Sequence, residues 1–264
     1  MRAYRVAYDG RPYYGFQRQP DVPTVEDVLF DALGRLGAVD GDEPSGYAAA
    51  GRTDAGVSAL AQTVAFDAPG WLTPAAFNSE LPADVRVWAS ADVPPDFHST
   101  HDALAREYRY HLHAPDADDA LVGDVLATLA GEHDFHNLTP DERGTARTLE
   151  TSVERDGEFL VLRLRAGGFA RHMVRRVVGL VDEVGSGAAG PERVQRVLSK
   201  ESLSGPAGVP TAPAGPLVLW DVTYDVDFAV DAEAAASAKS VFEERRVEHA
   251  TNARVAGSIL DGLD

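Results

Sequence analysis

Gly51-Arg52-Thr53-Asp54-Ala55-Gly56-Val57 is the stretch whose residue types could do chemistry. It is polar, bounded by glycines and set between two apolar runs. Arg52 and Asp54 are two apart, so in extended chain both side chains project to one side. A guanidinium beside a carboxylate keeps the carboxylate ionised, and an ionised aspartate held this way is a credible nucleophile. Arg52 could equally hold a phosphate. Gly51 and Gly56 permit backbone angles that other residues resist, and they let a bulky ligand approach closely. The competing reading is a turn in which Asp54 caps a backbone amide and Arg52 forms a salt bridge. On these residues alone the turn is the simpler reading.

A second concentration of positive charge is Arg171, Arg175 and Arg176. They fall within a run whose apolar spacing predicts a helix over Phe169 to Val184. Three arginines on one helix suit phosphate contacts; the plain alternative is a solvated face. Phe169 and Met173, four apart, read as core packing. His133-Asp134-Phe135-His136 has metal-binding residue types but lacks further ligands, and the glycine-rich run from Gly185 to Gly190 lacks a phosphate-loop lysine. No metal site and no nucleotide cofactor are expected. The absence of cysteine excludes disulfides, thiolate nucleophiles and cysteine-bound zinc.

The elements that must position these residues alternate between strand and helix. Met1 to Tyr8 alternates like a strand, with Asp9-Gly10 as a turn. Thr24 opens a helix whose Val25, Leu29, Ala32, Leu33 and Leu36 share one face. Short strands are expected over Tyr47 to Ala50 and Gln62 to Phe66, with Gly51 to Leu60 as the loop between them. A short helix over Pro74 to Leu81 and a strand over Val85 to Ala91 follow. Glu107 to His113 opens a second half, with a helix over Leu121 to Leu129. Val153 to Arg155 and Phe159 to Arg165 flank the hairpin signal Asp156-Gly157. Pro191 suits the first turn of a helix through Leu198, and Leu217 to Val222 is a last buried strand. Interleaved strands, helices and hairpins predict an α+β fold. Domains are expected over 1–102 and 103–228, with an alanine-rich, peripheral helical tail over 229–264.

Asp and Glu number 42 against 24 Lys and Arg, a net charge of -18. That balance argues against a nucleic-acid partner, because phosphate contacts normally use a basic surface. Yet Lys200 and Lys239 are the only lysines, and the acidic residues are dispersed along the chain. Such a composition suits a protein adapted to high salt, where the Debye length shrinks to about 3 Å and repulsion from RNA is screened. An ordinary acidic enzyme is the alternative. No apolar run approaches the roughly 20 residues that span a bilayer, and the N-terminus lacks the core of a signal peptide. A soluble, cytoplasmic protein without membrane attachment is expected.

Beyond these local patterns, the Gly51 to Val57 segment is similar to the catalytic signature of the TruA family of tRNA pseudouridine synthases. The resemblance continues in order along the chain: Tyr8-Asp9-Gly10 with Tyr14-Gly15-Phe16-Gln17-Arg18-Gln19, Thr24-Val25-Glu26, Leu81-Pro82-Ala83-Asp84-Val85 and Pro95-Asp96-Phe97-His98. Arg106-Glu107-Tyr108-Arg109-Tyr110, Gly131-Glu132-His133-Asp134-Phe135, Phe169 to Arg175 and Thr211-Ala212-Pro213-Ala214 complete it. Ser58 stands where the family usually has histidine, Arg171 replaces the first of two histidines, and Arg176 replaces a common asparagine.

The resemblance implies an archaeal, salt-adapted isomerase that needs no cofactor. It implies two α/β domains on a long, mainly antiparallel sheet with the site in the cleft between them. By the same resemblance Asp54 is the nucleophile, Arg52 and Arg175 are active-site cations, and Tyr108 contacts the target uracil. Arg171 and Arg176 are candidate substrate contacts. The implied partner is tRNA, modified in its anticodon arm after the target base is flipped out, and the implied assembly is a homodimer. Two other readings compete: an inactive tRNA-binding protein on this scaffold, and a hydrolase using Asp54 on a small substrate.

Overall fold

The computed structural model describes residues 1–39 and 41–263. The alternating N-terminus forms β1 (Arg2–Tyr8), with both faces largely buried. Thr24 starts α1 (Val25–Arg35) through a capping box, accepting from Asp27 N at 3.2 Å while the Asp27 carboxylate accepts from Thr24 N at 3.2 Å. β2 (Ala48–Ala49), β3 (Ser58–Phe66), α2 (Pro74–Asn78) and β4 (Val85–Asp92) complete this half. β3 begins at Ser58 and not at Gln62, so the expected loop is shorter at its C-terminal end. The cause is distant in sequence: Ser58 and Ala59 pair in parallel with Val218 and Leu219.

The second half runs β5 (Ala105–His113), α3 (Asp119–Leu129), β6 (Gly131–Asp134), β7 (Ala146–Asp156) and β8 (Phe159–Ala166). β7 and β8 form the hairpin expected at Asp156-Gly157, with Gly157 at φ 57°. β7 starts well before Val153 because its polar N-terminal end pairs with β6. Then come α4 (Met173–Gly185), α5 (Glu192–Val197) and β9 (Leu217–Thr223). β10 (Ala229–Val230) and the 30-residue α6 (Ala232–Asp261) end the chain.

One sheet runs β10-β4-β1-β3-β9-β5-β8-β7-β6, with β2 paired to β3. Among the described residues every pairing is antiparallel apart from β3 with β9. The architecture is α+β. One core packs α1 and α2 residues such as Leu29, Leu33 and Phe77 on Tyr4, Tyr8 and Phe66. The other packs α3 and α4 on Tyr110, Leu160, Leu162 and Leu164. β9 supplies Leu219 and Val222 to the first core and Leu217 to the second, and Tyr108 touches both. β9 therefore joins the halves, and the sheet continues across the expected division between residues 102 and 103.

α4 differs from the expected helix. It begins at Met173, four residues later than Phe169, because His172 adopts a left-handed conformation at φ 59°. Arg171 consequently lies in the turn before α4, and the three arginines do not share one helix. α6 lies on β4 with Ala234 and Ala238 buried, while Val247, Val255, Ile259 and Leu260 stay exposed. Asp264, the last residue of the expected tail, lies outside the described residues. No described helix is long and apolar enough to cross a membrane.

Candidate active site

The Gly51 to Val57 loop is held by the N-terminal segment. Phe16 N donates to Thr53 O at 3.1 Å and Gly56 N to Tyr13 O at 3.2 Å. The buried Tyr8 and Thr53 hydroxyls share a hydrogen bond of 2.8 Å, and Gly10 N donates to Ser58 Oγ at 3.0 Å. Ser58, where the resemblance would put histidine, thus fastens the start of β3 to the turn after β1. Gly15, at φ 102°, lies so close that a Cβ would stand 2.9 Å from Thr53 O. On the other side Gln62 Nε2 donates to Gly51 O at 2.8 Å. The conformation of the loop is set by its neighbours more than by its own sequence.

Asp54 is half-buried, and its Oδ2 accepts from Arg175 Nη1 at 2.9 Å. Arg175 is oriented from behind: its Nε donates to Ala212 O at 2.7 Å, and Ala212 N donates to Arg175 O at 3.0 Å. That exchange gives the Thr211 to Ala214 segment its place beside α4. Arg52 does not pair with Asp54. It is exposed and, among the described residues, makes no ion pair. The chain does turn here, with Asp54 O accepting from Val57 N at 3.1 Å, but the Asp54 side chain bonds Arg175 and caps no backbone amide among the described residues.

Tyr108 stands on β5 with its ring edge-to-face on Phe169, centroids 5.2 Å apart. Phe169 lines the cleft, and Met173, also at its wall, is fully buried in the core. Burial pushes the Tyr108 phenol up to about 12, with the Asp54 charge acting in the same direction against the Arg106 charge. The phenol stays neutral across the physiological range. Arg52, Asp54, Tyr108, Phe169, Arg171 and Arg175 all line one open cleft of about 970 Å³. Arg171 is exposed at its rim, held through its backbone N–H to Asp141 Oδ2 at 2.9 Å. Arg176 lies one residue beyond Arg175, its Nε 3.4 Å from Thr211 Oγ1, and is not among the cleft-lining residues.

Two residues of the site were not singled out by sequence reasoning. Arg106 donates to Ala50 O at 2.6 Å, Thr100 O at 2.9 Å and Gly167 O at 3.0 Å. It ties the chain entering the Asp54 loop to the chain approaching α4. Its signal was the two-residue repeat of Arg106, Tyr108 and Tyr110, which puts all three on one strand face. His172 lines the cleft with Nε2 3.7 Å from Asp54 Oδ2; nothing local in the sequence marks its left-handed backbone. His133, Asp134 and His136 serve the turn around β6: His133 Nε2 is 3.1 Å from Ala130 O, and Asp134 accepts from the Thr145 hydroxyl at 2.6 Å.

A family model described as tRNA pseudouridine synthase matches residues 125–225. A tRNA pseudouridine synthase A of Haloarcula marismortui is 60% identical, covering 100% of both chains. Its counterpart in Halobacterium salinarum is 56% identical over 98% of each chain, and that of Methanothrix thermoacetophila is 42% identical over 87% of this chain and 85% of its own. The alignment with the Haloarcula marismortui protein spans α6 as well, beyond the blocks that carry the resemblance. This chain belongs to the tRNA pseudouridine synthase family.

Proposed function

We propose that this protein isomerises uridine to pseudouridine in tRNA, acting on the anticodon arm in the region of positions 38–40. The observation that carries the reading is the Asp54 carboxylate, bonded to Arg175 in a cleft walled by Tyr108. The reaction breaks the bond from uracil N1 to ribose C1′, turns the base and rejoins it through C5; C5 loses its proton and the freed N1 takes one up, so the composition is unchanged. The base is isomerised in place, so no group is transferred to or from an outside donor.

Asp54 is the proposed nucleophile. Its second oxygen, Oδ1, accepts no hydrogen bond among the described residues, which leaves a lone pair for attack. A stacked uridine is out of reach, so the base must be flipped into the cleft at a cost of a few kcal/mol. The exposed Arg52 guanidinium suits the vacated stack or the target phosphate, and Tyr108 suits the face of the uracil. Arg171 and Arg176 suit backbone phosphates flanking the target. A cytoplasmic homodimer, with one tRNA touching both subunits, is part of the same proposal.

The test is incubation of the purified protein with unmodified tRNA at high salt, with pseudouridine mapped by carbodiimide-dependent primer-extension stops. Wild type should give stops in the anticodon arm, and Asp54→Ala should give none while still binding tRNA. Equal activity in both proteins removes Asp54 as nucleophile. Binding without stops in either protein would point to an inactive tRNA-binding protein.

A further inference from the structure

We propose that His172 is a positioning residue that sets which oxygen of Asp54 faces the substrate. The proposal rests on the functional reading above and extends it to a residue with no assigned part. His172 lies at φ 59° and ψ 1°. With Asp21 it is one of two non-glycine residues at positive φ in the described chain. Such a conformation persists only where the surroundings over-determine it, and it gathers at functional sites. Here the surroundings are visible. Arg171 N donates to Asp141 Oδ2 at 2.9 Å on one side of the bend. Across the bend Met173 N donates to Ala170 O at 3.1 Å, and beyond it Arg176 N donates to His172 O at 3.0 Å.

The position is the N-cap of α4, where a short polar side chain would ordinarily accept a free helix amide. The His172 ring makes no capping bond. The left-handed bend turns it into the cleft instead, with Nε2 3.7 Å from Asp54 Oδ2. Arg175 donates to that same oxygen. Both neighbours therefore act on Oδ2, and Oδ1 is left as the oxygen presented to a flipped uridine. At 3.7 Å the imidazole is beyond direct hydrogen-bond range. It acts as a stop: the carboxylate cannot swing off Arg175 towards the start of α4 without meeting the ring. The bend costs the helix its cap and holds an unfavourable backbone in exchange for that aim.

The test separates aim from stability. His172→Gly removes the ring and suits the left-handed backbone, so it should melt no lower than wild type. If the ring aims Asp54, kcat on unmodified tRNA falls about tenfold or more while KM stays within about twofold. His172→Asn, which tolerates the same backbone and keeps a polar side chain, should recover part of kcat. Crystal structures of wild type and His172→Gly give a second readout: the variant should show the Asp54 carboxylate turned off Arg175 or split between two rotamers. Unchanged kcat in His172→Gly overturns the proposal, as does a kcat loss that tracks a lowered Tm. A rise in KM alone would make His172 a substrate contact and also overturn it. Should wild type form no pseudouridine, the functional reading falls, and the Asp54 rotamer in the two structures still decides the role of His172.

Discussion

Gly10 packs against Val57 so closely that a Cβ on Gly10 would stand 1.9 Å from the Val57 carbonyl oxygen. The turn after β1 and the end of the Asp54 loop are in backbone contact, and no side chain fits between them. Gly10→Ala must push the loop away, since the obstacle is backbone and not a flexible side-chain tip. Overpacking of this kind costs about 1–3 kcal/mol. The variant is expected to unfold at lower denaturant and to lose activity beyond what its stability explains, because the displaced loop carries Asp54 away from Arg175. Equilibrium unfolding with single-turnover pseudouridine formation checks this, and wild-type stability in Gly10→Ala would refute the packing argument.

Arg175 spans two acceptors, Asp54 Oδ2 and Ala212 O, with different nitrogens of one guanidinium. A lysine ammonium keeps the charge but not that fork. A charge-assisted hydrogen bond contributes roughly 1.5–3 kcal/mol, so Arg175→Ala is expected to lower kcat by about 10- to 100-fold. Arg175→Lys should fall between the two. Single-turnover rates on unmodified tRNA decide it, and a lysine variant as slow as alanine would mean that the charge alone contributes little.

Much of the fold was legible locally, and the failures have identifiable causes. Thr24 with Asp27, the β7–β8 turn and the β1 alternation are decided by residues within a few positions of each other. The start of β3 at Ser58 depends on Val218, and the late start of α4 depends on the bend at His172. Neither is visible in a local window. The site divides in the same way. Proximity in sequence suggested Arg52 as the partner of Asp54, whereas the fold brings Arg175 from 121 residues away. The resemblance carried by the ordered blocks pointed to Arg175, although no local spacing links it to Asp54.

The alkaline limit of stability follows from the tyrosines. Burial raises Tyr4 and Tyr224 from an ordinary value of 10 to about 12. A phenol raised in the folded state favours folding while it remains neutral. That contribution is complete below pH 10 and is lost as pH rises through about 12. The protein is therefore expected to unfold between these limits, with phenolate absorbance from the buried rings appearing together with the loss of structure. Full phenolate absorbance from a chain that keeps its circular dichroism would contradict this.

Salt should act on the whole molecule. At a net charge of -18 the folded chain repels itself, which disfavours the compact state. The ion pairs that offset this repulsion are largely at the surface, such as Arg35 with Glu80 and Arg163 with Glu154, and surface pairs contribute only about 0–1 kcal/mol each. Screening shortens the Debye length from about 10 Å at 0.1 M salt to about 3 Å at 1 M. That removes long-range repulsion while sparing the half-buried Asp54–Arg175 contact. The Tm is accordingly expected to rise as KCl is raised towards the molar range, and tRNA affinity to hold up better than for a basic enzyme, whose binding depends on long-range attraction. Thermal melts and filter-binding titrations across a KCl series measure both. A Tm that is flat or falls with KCl would mean that the acidic surface is not matched to salt.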